Sequence, residues 1–110
     1  MTGNEYQRLA LRTEPPMRDA EKLLHACLGM AGEAGECIDL MKKHMFQGHP
    51  LDEPHMAREI GDVLWYVAAA AAALGYGLEA IMQMNIDKLK ARYPEGFDAK
   101  RSLHREAGDV

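Results

Sequence analysis

The chain has no excess of positive charge. Its 13 lysines and arginines stand against 17 aspartates and glutamates, for a formal net charge of −4. That argues against a duplex-DNA binder, which normally shows a basic face, although an acidic protein still binds phosphates where a metal mediates. No apolar run is long enough to span a bilayer: the most apolar stretch, Val63 to Leu74, is short and interrupted by Trp65 and Tyr66. The N-terminus MTGNEYQRLALRTEPP has no apolar signal core. A cytoplasmic location with no membrane partner is therefore expected. There are only two cysteines. Cys27 and Cys37 fall on one predicted helix, about 15 Å apart along its axis, whereas a disulfide needs Cα atoms within about 7 Å; both are expected to be small core residues. The five histidines form no HExxH motif and no zinc-spaced Cys/His pattern. There is no GxGxxG motif after a strand, no GxxxxGK[ST] loop and no serine or cysteine in a recognisable nucleophile setting. Any nucleotide is bound without a P-loop.

No segment reads as a strand, and the pattern predicts four helices. The first runs from Gly3 to Arg12 with Thr2 as N-cap, and Pro15-Pro16 ends it. The second spans Arg18 to Phe46, with Gly48 and Pro50 at its exit. The third has Asp52 as N-cap, accepts Pro54 in its first turn and continues to Leu74. After Gly75 and Gly77, a fourth helix extends from Leu78 to Arg92 and stops before Pro94. The predicted domain is residues 1–97. Residues 98–110 form a polar tail that is expected to be loose or to pack against a partner. On the third helix Ile60, Val63, Leu64 and Val67 predict an apolar core face. The alanines Ala68 to Ala73 suit close helix packing, including packing at a subunit interface.

Two acidic motifs stand out, Glu33-x-x-Glu36 in GMAGEAGE and Glu59-x-x-Asp62 in REIGDVLWY. Residues three apart share a helix face, so each motif points two carboxylates the same way. Spacing alone does not establish a site. Composition predicts about 2.6 acidic pairs at i,i+3, the chain has five, and a solvated surface explains such pairs readily. The glycines shift the balance. Gly29, Gly32 and Gly35 lie inside the second helix and Gly61 inside the third, where each costs about 1 kcal/mol relative to alanine. A helix carrying that penalty beside its carboxylates needs the space for a close neighbour or a ligand. Four sheltered carboxylates would need cations, and oxygen-only ligands suit magnesium or manganese.

The fourth helix adds Asn85, Lys88 and Arg92 at i, i+3 and i+7, an amide and two cations on one face. Cations late in a helix also simply complement its dipole, and the same choice applies to Lys42 and Lys43. Opposite a carboxylate and metal cluster, such groups could grip a polyphosphate. Tyr66 falls on the acidic stripe, where an aromatic either packs or contacts substrate.

The segments GMAGEAGECIDLMKKH, EIGDVLWYVAAAAAALG and LEAIMQMNIDKLKARYPEGF resemble the MazG-like branch of the all-α nucleoside triphosphate pyrophosphohydrolases, from about Tyr6 to Phe97. The resemblance implies an all-α, four-helix-bundle-type domain completed by dimerisation, as a homodimer or a dimer of dimers. It implies magnesium-dependent cleavage of a nucleoside triphosphate between the α and β phosphates, releasing a monophosphate and pyrophosphate, in nucleotide-pool house-cleaning. Carried over, Glu33, Glu36, Glu59 and Asp62 would hold Mg2+ (or Mn2+), Asn85 and Lys88 would contact substrate and Arg92 would add charge near the phosphates; Tyr66, from its place beside the acidic stripe, is the further candidate for substrate contact. Many members carry a further Glu before the first motif where this chain has Gly32, which leaves the number of metals open. Two alternatives stand beside this one. The first is a related enzyme acting on another nucleotide, such as phosphoribosyl-ATP or an alarmone; the second is a noncatalytic helical module for metal or nucleotide binding or for assembly.

Overall fold

A computed structural model describes residues 1–110, and it is all-helical. The elements are α1 (Gly3–Ala10), a 3-10 turn (Leu11–Thr13), α2 (Asp19–Phe46), α3 (Glu53–Ala73), α4 (Leu78–Arg92) and α5 (Ala99–Leu103). The expected caps are in place. Thr2 Oγ1 accepts from the Glu5 amide at 3.1 Å and Asp52 Oδ1 from the His55 amide at 3.0 Å, each satisfying an amide that the first helical turn leaves without a partner. No single helix is long and apolar enough to cross a membrane. Two compact units divide the chain, Met1–Leu78 and Glu79–Val110.

In the first unit α2 and α3 pack side by side, and their register is antiparallel. Gly29 meets Tyr66, Glu33 meets Glu59 and Asp62, and Lys43 shares a groove with Asp52 and His55. The six-residue reversal between them uses Gly48 at φ +72°, a conformation open to glycine. α1 is fastened to α3 by polar side chains. The buried Gln7 amide donates to the carbonyls of Ala68 and Tyr76, and its oxygen accepts from the Leu78 amide, all at 3.1 Å. Trp65 Nε1 donates to the Ala10 carbonyl and to Thr13 Oγ1, both at 2.9 Å.

The core of this unit is small. Its buried apolar residues are Ala26, Ala68, Ala69, Ala71 and Leu78. Part of the alanine run thus serves close packing inside one chain. The predicted core face of α3 is only partly closed, because Ile60 is 58% and Leu64 42% exposed. The reason is the choice of stripe: α2 packs along the stripe carrying Glu59, Asp62 and Tyr66, which leaves Ile60 and Leu64 uncovered. On α2, likewise, Leu24, Leu28, Ile38 and Met45 form one exposed stripe, opposite the face that bears Ala26, Gly29 and Glu33. Cys27 lies on that outer stripe and is exposed, which corrects the expectation of a core cysteine, while Cys37 is half-buried.

In the second unit the C-terminal segment, expected as a polar tail, carries the short helix α5. Asp98 Oδ1 caps α5 by accepting from the Lys100 amide at 2.8 Å. Arg101 Nε donates to the Arg92 carbonyl at 2.7 Å, so a cation satisfies the C-terminal end of α4. Arg92 in turn grips Asp109.

Candidate metal centre

The antiparallel register decides which carboxylates meet. Glu33 comes from the middle of α2, while Glu59 and Asp62, one turn apart, come from α3. Ligand oxygens of these three residues lie within 4.8 Å of one another. Glu36, the fourth predicted member, is not part of this cluster; it is exposed on the next turn of α2. Its charge is still felt at Glu33. Loss of hydration, a hydrogen bond with Glu59 and the charges of Asp62, Glu59 and Glu36 raise the Glu33 carboxyl above its ordinary range. A hydrogen bond between two carboxylates requires a shared proton, so like charges gathered without a cation recruit one. No lysine or arginine forms an ion pair with any of the three.

Two neighbours escaped the sequence reading. His55 Nε2 donates to Glu59 Oε1 at 3.1 Å, a hydrogen bond that orients the carboxylate. The spacing His55 to Glu59, i to i+4 on one helix, could have flagged it. Tyr6 arrives from α1. Loss of hydration and the charge of Asp62 raise its hydroxyl above its usual value. Nothing in local spacing announces that approach.

The glycines divide into two groups. A Cβ on Gly29 would overlap the ring of Tyr66, so this glycine exists for close contact between helices. Tyr66 therefore has its ring committed against the α2 backbone, 5.8 Å from the ring of His25. Gly32, Gly35 and Gly61 instead face open space. No packing within this chain accounts for them.

Asn85, Lys88 and Arg92 lie on α4 in the second unit. Asn85 and Lys88 are exposed. Arg92 is engaged with Asp109 through a contact of 2.7 Å.

The donor set fits a divalent cation. Three carboxylates from two helices offer only hard oxygen ligands, close enough to share one ion, with no lysine or arginine paired to them and only His55 at hand on Glu59.

Comparison with known proteins agrees with this chemistry. Residues 21–97 match the MazG nucleotide pyrophosphohydrolase domain. A relative, the Gene 37 protein of Mycobacterium phage L5, is 34% identical over 80 residues, covering 69% of this chain and 70% of its own length. No solved structure matches. The matched segment contains both acidic motifs and all of α2, α3 and α4 except the first two residues of α2, and the chain belongs to the MazG nucleotide pyrophosphohydrolase family.

Proposed function

We propose that the protein hydrolyses a nucleoside triphosphate between the α and β phosphates, giving a nucleoside monophosphate and pyrophosphate. The single observation that carries this reading is the convergence of Glu33, Glu59 and Asp62 without a lysine or arginine partner. These three would hold magnesium, with manganese as a chemical substitute. A divalent cation there supplies charge for phosphate oxygens and lowers the pKa of a bound water.

The chain's own residues do the rest. His55 fixes the orientation of Glu59 through its 3.1 Å hydrogen bond. Glu36, exposed one turn further along α2, would complete the acidic set as a further ligand; one of the four carboxylates would accept the proton of the attacking water. Asn85, Lys88 and Arg92 contribute contacts to the substrate phosphates. Tyr66, its ring held against Gly29 and packed beside His25 and Trp65, is the further residue we assign to substrate contact. The purpose we assign is removal of noncanonical or surplus deoxynucleotides.

The assembly is a homodimer or a dimer of dimers. Its support is the exposed apolar stripe of α2, where Leu24, Leu28 and Ile38 are each more than 60% exposed, together with Ile60 and Leu64 on α3. Apolar area of this kind contributes about 25 cal/mol per Å2 when covered. Sedimentation at micromolar concentration should give a dimer or larger species; a monomer contradicts the assembly.

Product identity tests the reaction. Phosphorus NMR of the reaction with magnesium should show pyrophosphate and monophosphate in equal amounts. Orthophosphate and diphosphate would place cleavage at the β-γ bond and overturn the proposal.

A further inference from the structure

The second unit contains a cavity of about 570 Å3, within the range of roughly 300–1,000 Å3 typical of small-molecule sites. Its lining is strongly cationic. Lys88, Arg92, Lys100, Arg101 and Arg105 contribute five positive charges against the carboxylates of Glu106 and Asp109. Arg101 is used structurally, on the C-terminal carbonyl of α4. Arg92, Arg105 and Lys88 instead surround one group, the Asp109 carboxylate.

The contact has the form of a clamp. Arg92 Nε donates to Asp109 Oδ2 at 2.9 Å and to Oδ1 at 3.2 Å, and Nη2 donates to Oδ1 at 2.7 Å and to the Val110 carbonyl at 3.2 Å. Both side chains are largely covered, 13% and 17% exposed. The hydrogen bonds to Arg92 come first in holding the Asp109 carboxyl below its ordinary range, with Arg105 and Lys88 adding to the effect. Two parallel N–H donors facing two oxygens is also how a guanidinium holds a phosphate. Asp109 reaches this place through a turn in which Gly108 adopts φ +86° and the Asp109 amide donates to the Glu106 carbonyl at 3.1 Å. Residues 104–110 contain no helix or strand, so lifting Asp109 away breaks no regular element among them.

We propose that this cavity is a binding site for a pyrophosphate group, in which Asp109 stands as an internal competitor for the Arg92 fork. The proposal rests on the reading of Arg92 as a phosphate contact and adds its occupant. A pyrophosphate group presents similar paired oxygens with more charge, and so exchanges with Asp109 rather than adding beside it. The ligand is either free diphosphate or the terminal phosphates of a nucleotide.

Titration calorimetry on the full chain in EDTA tests this, with inorganic pyrophosphate and a nucleoside triphosphate as separate probes. EDTA removes any cation from the carboxylate cluster, so it contributes no metal-bridged binding. Asp109→Asn should bind at least one probe about tenfold more tightly than the parent, Asp109→Glu should bind like the parent, and Arg92→Gln should lose binding. The probe that shows the gain identifies the ligand. Unchanged affinity in Asp109→Asn, with loss in Arg92→Gln, would overturn the competitor while leaving Arg92 as a phosphate contact. Binding of neither probe dependent on Arg92 would overturn both. Should Arg92→Gln disturb the helix content seen by circular dichroism, Arg105→Gln carries the same comparison, with weakened binding expected and unchanged binding contradicting the site.

Discussion

The two units treat charge in opposite ways. Around Glu33, Glu59 and Asp62 the first unit gathers like charges and supplies neither lysine nor arginine, so the Glu33 carboxyl rises above its ordinary range. Around Arg92 the second unit gathers cations and supplies Asp109, whose carboxyl falls below its ordinary range. One cluster is left open and the other is closed by the chain itself. An open cluster of hard oxygens needs something from outside, and its natural complement is a cation. A closed cluster accepts an outside anion only by exchange.

The largest effect that would sharpen this contrast is on turnover. Replacing Asp62 by Asn removes a charge from the open cluster with little change in shape, and should lower the rate by about a hundredfold or more, roughly 2.7 kcal/mol at the barrier. Circular dichroism and melting should stay close to the parent. Retained turnover in a folded variant would break the comparison, since the open cluster would then have no use.

Stability comes next. Gln7→Ala removes the amide that joins α1 to α3 and leaves the Leu78 amide without its partner; denaturant unfolding should show a loss of about 2 kcal/mol. Gly29→Ala drives a methyl into the Tyr66 ring and should cost about 1–3 kcal/mol, whereas alanine at Gly32, which faces open space, should cost nothing and gain helix propensity. Equal effects at the two glycines would mean that Tyr66 does not rest on α2.

The smallest effects are in the pH dependence, and they have opposite signs. The raised Glu33 carboxyl binds its proton more tightly in the folded state. Its contribution is therefore present below the ordinary carboxylate range, near pH 4, and is lost as pH rises through the raised value. The lowered Asp109 carboxyl does the reverse: its contribution is present above that range and is lost as pH falls through the depressed value. Melting temperature against pH, without metal, should thus lose one component in Glu33→Gln and the opposite component in Asp109→Asn. Magnesium should raise the melting temperature more at neutral than at acid pH, because a cation binds the carboxylates in competition with protons. Slopes of the same sign in both variants would remove the distinction between the units.

Most helices were legible from the sequence because their signals are local. Thr2 and Asp52 cap where expected, and Pro15, Pro16, Gly48 and Pro94 stand between the segments. The two acidic motifs were legible from i,i+3 spacing, but which carboxylates meet was not. That depends on the α2/α3 register, which brings Glu33 to Glu59 and Asp62 and leaves Glu36 outside. Tyr6 and the Arg92–Asp109 clamp were missed for the same reason, since each joins residues from separate segments whose meeting no periodicity encodes. The stripe Ile60, Val63, Leu64 and Val67 was read correctly as apolar. Its coverage could not be read, because within one chain α2 packs on the neighbouring stripe.

The measurement that tests the central claim most directly is pyrophosphate release from each ribo- and deoxynucleoside triphosphate, with magnesium and with EDTA, by the parent and by Asp62→Asn. The open carboxylate cluster predicts pyrophosphate from the parent with magnesium, none in EDTA and a near-complete loss in the folded variant. Release that survives EDTA, or that Asp62→Asn leaves untouched, would contradict it.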